Sequence, residues 1–92
     1  MPKKKSIKER IITGVKHTDN TAIEARNLII LGSRQAWWAR KNINRGRPEL
    51  ASKQLDRALR NLAHANTMVF GCIVNLNEMR RLAHEIEEAP AS

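Results

Sequence analysis

The chain has 92 residues, one domain's length, and carries 17 Lys and Arg against nine Asp and Glu, a net charge of +8. Lone Cys72 excludes an intrachain disulfide framework, and three Pro, four Gly, one Phe and no Tyr are too few turn and strand formers for an all-β domain. Ala, Leu, Arg, Lys, Glu and Asn dominate instead, and most of these favour or tolerate helix, so an all-α chain is expected.

Residues 1–5, Met-Pro-Lys-Lys-Lys, are expected to form a flexible basic arm. No apolar stretch follows them, so no secretory leader is expected. Ser6-Ile7-Lys8-Glu9 fits a capping box and predicts a short helix over about 6–17, with Ile7, Ile11, Ile12 and Val15 on one face. His17-Thr18-Asp19-Asn20 then reads as a polar break. Thr21-Ala22-Ile23-Glu24 is a second capping box and predicts a helix over 21–44. Along it Ala25, Gly32 and Ala39 recur every seven residues, a narrow small face that lets another helix come close. Ile23, Ile30 and Trp37 form a bulky stripe beside it. Asn44-Arg45-Gly46 supplies a stop, because Gly accepts the left-handed conformation that ends helices.

Pro48 suits the first position of a helix and Glu49 complements its N-terminus, so a last helix is predicted over 48–88, ended by Ala89-Pro90. Residues 89–92 are left as a tail. A heptad runs through this helix. Leu55, Leu62, Val69, Leu76 and Ala83 fall at one core position, and Leu59, Asn66, Ile73 and Arg80 at the other. Ala58, Ala65, Cys72, Met79 and Ile86 widen the seam on one flank. The run Met68–Val74 is apolar all round and would pass alone for a buried strand, but the heptad continues through it in phase, which favours helix with Gly71 as the place for a kink.

The expected architecture is therefore a single helical domain over 6–88, a short N-terminal helix plus a long antiparallel hairpin. So wide an apolar face needs more than one packing partner, and the hairpin is expected to assemble as an oligomeric helical bundle. Leu55, Leu59, Leu62, Asn66, Val69, Ile73 and Leu76 are the expected interface of that homo-oligomer. Asn66 and Arg80 interrupt the apolar row, and a polar residue there sets register or stoichiometry.

Charge is unevenly distributed. Residues 1–18 sum to +5, residues 26–60 to +7, and residues 61–92 to −2. Folding the two long helices together makes residues 40–60 a basic tip and leaves an acidic end opposite. The expected nucleic-acid contacts are Lys3, Lys4 and Lys5 in the arm and Arg34, Arg40, Lys41, Arg45, Arg47, Lys53, Arg57 and Arg60 around the tip. Arg dominates, and its guanidinium forks phosphate oxygens. Trp38, or its neighbour Trp37, is a stacking platform for a base if exposed among these cations; otherwise both rings are packing anchors.

No phosphate-binding Gly loop, zinc spacing, nucleophile elbow or HExxH is present, so no catalytic residue, metal or cofactor is expected. His64, Met68 and Cys72 share a helical row that a soft metal favours, but no fourth ligand clusters with them, and packing explains Met68 and Cys72 as well. The longest apolar run is far short of a membrane span, so no integral membrane association is expected and the chain is placed in the cytoplasm. The expected function is that of a small, basic, non-enzymatic helical protein that binds DNA or RNA through phosphates, with weak sequence specificity. The alternative is an adaptor or inhibitor acting on an acidic or nucleic-acid-processing protein. In size, charge and lack of catalytic motifs the chain is similar to small host-interfering regulators of phages and plasmids.

Overall fold

A computed structural model describes residues 6–88. Two helices make up the fold, α1 (Ile7–Asn44) and α2 (Pro48–Glu88), and no strand occurs among the described residues. The arm at 1–5 and the tail at 89–92 lie outside them. Ser6 caps α1 as expected, its hydroxyl accepting from the Glu9 N–H at 3.1 Å. At the other end Gly46 takes φ +72°. Its N–H donates to the Ile43 carbonyl at 3.1 Å and the Arg47 N–H to the Asn42 carbonyl at 2.8 Å, the paired bonds of a Schellman turn. Pro48 then opens α2 with no N–H to leave unsatisfied. The reversal takes three residues, and the helices fold into an antiparallel hairpin.

The expected break at His17–Asn20 does not exist; α1 runs unbroken through it and through Thr21. Tertiary packing outweighs the local capping signal. Thr18 is buried against α2, and its hydroxyl donates to the Gly14 carbonyl one turn back at 2.9 Å. Asn75 on α2 donates to that same carbonyl at 2.9 Å and to the Thr18 hydroxyl. The three flanking polar residues, His17, Asp19 and Asn20, point to solvent, where helix costs them little. α2 likewise continues through Gly71 as helix.

The seam between the helices is built of small and polar side chains. On α1 Ala25, Gly32 and Ala39 are buried, as the seven-residue spacing implies. Facing them are Ala51, Ala58 and Ala65 of α2. The approach is close: a Cβ on Gly32 would stand 2.9 Å from Leu62 Cγ and 3.4 Å from the Ala58 carbonyl oxygen. Amide pairs alternate with the alanines. Asn42 donates to Gln54 and Asn61 to Gln35, each at 2.8 Å. Leu82 is the only large side chain among the described residues that is fully buried.

The heptad expected as the oligomer interface does not form the intrachain seam. Leu55, Leu59, Leu62, Val69, Ile73 and Leu76 are all exposed within the chain, and so are Asn66 and Arg80. The flank at Ala58, Ala65 and Cys72 faces α1 instead. The reason is geometric: small residues let two backbones approach, and the close pairing turns the neighbouring large residues outward. Nineteen large apolar side chains are 39–67% exposed, Phe70 in the run 68–74 most of all.

Four residues on from each small seam position lies an outer row. On α1 it reads Val15, Ala22, Ile29, Ala36, Ile43; on α2 it reads Leu55, Leu62, Val69, Leu76, Ala83. In an antiparallel pair these two rows lie on the same flank of the seam. Leu62 reaching toward Gly32 fits that placement. The opposite, more polar flank carries His17, Glu24, His64 and Glu78 beside Leu31, Trp38 and Leu50, along open grooves. The two outer rows are thus apolar at every position over five heptads.

The result is a flat rod of 72 × 28 × 13 Å with a radius of gyration of 20.5 Å. A compact domain of this length has a radius of about 12 Å. No helix among the described residues is long and apolar enough to cross a membrane.

Candidate nucleic-acid interface

The tight turn at Gly46 brings the C-terminal third of α1 beside the first third of α2, and with them the bases that the sequence spreads over residues 34–60. Arg34, Arg40, Lys41, Arg45, Arg47, Lys53, Arg57 and Arg60 are all exposed. They do not form one flat patch. Arg34 and Lys41 lie along the outer back of α1, Lys53 and Arg60 along the back of α2, and Arg45 and Arg47 at the extreme tip. The cations belt the head of the rod over roughly 20 Å of its length, the thirteen residue steps from Arg47 to Arg60 at about 1.5 Å each. Within this stretch the acids are Glu49 and Asp56, and its net charge is +6.

None of these bases joins a salt bridge among the described residues. The ion pairs there both involve Arg81, with Glu78 and Glu85, at the far end of α2. The hydrogen bond from Arg81 holds the Glu78 carboxyl below its ordinary range, with Arg10 of α1 adding to the attraction, and Glu78 in turn raises Arg81. Arg10 beside Glu78 corrects the expectation of an acidic tail. Because α1 continues to Ile7, it sets Lys8, Arg10 and Lys16 against the acids of α2. Residues 6–18 and 76–88 together sum to zero. The rod has a basic head and a neutral end.

Both tryptophans are about half exposed, so neither is a core anchor within the chain. Their rings meet edge to face, with centroids 4.9 Å apart. The Lys41 ammonium lies 4.7 Å from the Trp37 ring centre, a cation–π contact one turn along the helix. Trp38 sits on the polar flank, at the same level of the hairpin as Arg57. The arrangement offers aromatic faces next to unpaired cations, which suits a polyanion that carries bases. The arm lysines Lys3, Lys4 and Lys5 fall outside the described residues.

A groove of about 760 Å³ runs along the polar flank at mid-rod, lined by His17, Thr18, Met68, Cys72, Asn75 and Arg81 among others. Sequence reasoning missed it, together with the Gln35–Asn61 and Asn42–Gln54 pairs. The signal was Gln54, Asn61 and Asn75 recurring in phase with Ala51, Ala58 and Ala65. His64, Met68 and Cys72 do not come together with further ligands: no group of three or more His, Cys, Asp or Glu able to hold a metal exists among the described residues. The Cys72 thiol lies 3.7 Å from the Thr18 carbonyl oxygen, a packing position in the seam. No protein-family model, curated protein or solved structure matches the chain.

Proposed function

We propose that this protein is a small, non-enzymatic nucleic-acid-binding module that grips phosphates with the basic head of its hairpin and with the Lys3–Lys5 arm. The observation that carries the reading is the belt of eight exposed bases, free of salt bridges, at one end of a rod whose other end is neutral. Solubility alone is served by interspersed charge, not by concentration at one end. Bases spaced around a head 13–28 Å across contact phosphates on a strand that wraps it, and carry no means of reading base edges in a fixed order. Binding is therefore electrostatic, salt-sensitive and tolerant of sequence, with Trp38 or Trp37 adding stacking where the nucleic acid is single-stranded.

The test is the double variant Arg45→Glu/Arg47→Glu. Both side chains are exposed, and the turn is held by backbone N–H groups, so the fold is expected to survive. Affinity for DNA and RNA should fall sharply. The slope of log affinity against log salt should flatten by about 0.7–0.9 for each phosphate that is no longer neutralised. Removal of residues 1–5 should weaken binding further in the same unspecific way. A parent chain that binds neither DNA nor RNA at about 50 mM salt overturns the reading, and so does a double variant that binds as the parent does. Clean capture of one acidic protein in place of nucleic acid would establish the adaptor alternative.

A further inference from the structure

The hairpin leaves more surface in water than a folded chain of its mass should. A compact 10.5 kDa monomer exposes about 5,400 Å², whereas this chain exposes 7656 Å². The excess is roughly 2,200 Å², and a stable homodimer removes on the order of 1,000–2,500 Å² from each partner. About half of the exposed large apolar side chains gather on one flank: its two outer rows are apolar from end to end, and Leu59 and Ile73 widen it on α2, with Asp19, Arg26, Arg40 and Arg80 along its edge. Contiguous apolar surface on this scale marks an interface in a water-soluble chain.

We infer that a second copy of this chain covers that flank, face to face and head to tail, to make a two-fold four-helix bundle. The occupant is a second copy because the excess falls within what a stable homodimer removes from each partner. The two outer rows themselves carry no charge for a different partner to answer. On α1 large and small residues alternate symmetrically about Ile29, so the row reads alike in both directions and accepts its own two-fold copy. Leu55–Leu76 of α2 then packs antiparallel against the same row of the partner, with Ile29 near the axis and Leu62 and Val69 on either side of it.

Charge sets the polarity. Heads side by side would place two clusters of +6 within a few ångströms of one another. Head to tail, each head lies beside the partner's open end, where residues 6–18 and 76–88 sum to zero. The tips of the two heads then sit roughly 60 Å apart, and their belts, each reaching roughly 20 Å back from its tip, stay roughly 20 Å apart, beyond the screening length of about 8–10 Å. The polar flank and its groove stay open to water. This inference stands independently of the nucleic-acid reading.

The experiment combines mass with cross-linking on the full chain. Sedimentation equilibrium at about 50 μM should give the mass of two chains. In a Cys72→Ser background, Ile29→Cys should be joined to its own copy by a short bifunctional thiol reagent, and Arg45→Cys should not. The face is tested again by Ile29→Glu/Val69→Glu, which should halve the mass, while Phe70→Glu, on the outer back of α2, should leave it unchanged. Should Ile29→Glu/Val69→Glu unfold instead, the cross-linking pair still decides the matter on folded protein. A parent that stays monomeric overturns the inference. A dimer in which Ile29→Cys fails to cross-link also overturns it, and cross-linking at Arg45→Cys overturns the polarity.

Discussion

Gly46 and Gly71 both have open space around the position of a Cβ, yet they answer to different physics. Gly46 sits at φ +72°, where an L side chain clashes with its own backbone. Gly46→Ala should cost about 1–2 kcal/mol from that conformation alone. Gly71 is in ordinary helix on the surface, so Gly71→Ala should raise stability by about 0.5–1 kcal/mol by restricting the unfolded chain. Urea denaturation of the two variants checks both signs. Arg81 gives a third residue-scale expectation. Its hydrogen bond lowers the Glu78 pKa below the ordinary 4.5. The stabilisation is therefore present above that value and is lost as pH falls through the lowered one. Both groups are exposed, so the effect is small. In Arg81→Ala the Glu78 carboxyl should titrate nearer its ordinary value, read by carbon-detected NMR.

At the scale of the elements, the two helices are held together by alanine contact and by amide pairs that satisfy each other. An amide half out of water is best placed beside its partner, so the half-buried Gln35–Asn61 pair specifies register more than it adds stability. Gln35→Leu alone strands the Asn61 amide and should destabilise by about 1–3 kcal/mol. Gln35→Leu/Asn61→Leu should recover most of that deficit, and a double-mutant cycle in urea measures the coupling. Equal, additive effects would mean that the amides act independently. The same logic explains why α1 does not break at His17–Asn20: Asn75 reaches across to the Gly14 carbonyl and the Thr18 hydroxyl, and a break there would strand all three groups.

The whole molecule is a thin rod whose large apolar side chains face outward, and its behaviour follows from what covers them. If two copies share the apolar flank, folding is coupled to association, and the thermal midpoint should climb with protein concentration. Calorimetry across a hundredfold range of concentration checks it. A head-to-tail pair also presents the tips of its two basic heads roughly 60 Å apart, nearly two turns of B-form duplex at about 34 Å each. The dimer-breaking Ile29→Glu/Val69→Glu variant, where it stays folded, should then bind a duplex of about ten base pairs as the parent does. It should lose affinity on one of about thirty, because only the longer duplex engages both heads. Fluorescence anisotropy on the two lengths separates the outcomes.

Much of the hairpin was legible in local chemistry. Ser6 as a cap, Gly46 as a stop, Pro48 as a start and the seven-residue spacing of Ala25, Gly32 and Ala39 each act within a turn or two of helix, so neighbouring residues suffice to read them. The exposure of the head bases was legible too, since a turn with Arg on either side of Gly46 has nowhere to bury them. Two things were decided only in three dimensions. One was the continuity of α1, which rests on Asn75, 57 residues away along the chain from Thr18. The other was which of two in-phase heptads on α2 faces its own chain. Sequence ranks Leu55, Leu62, Val69 and Leu76 first because hydrophobicity measures the wish to leave water. The close approach of two backbones is governed instead by side-chain size, and at that distance Ala51, Ala58 and Ala65 fit where leucines do not.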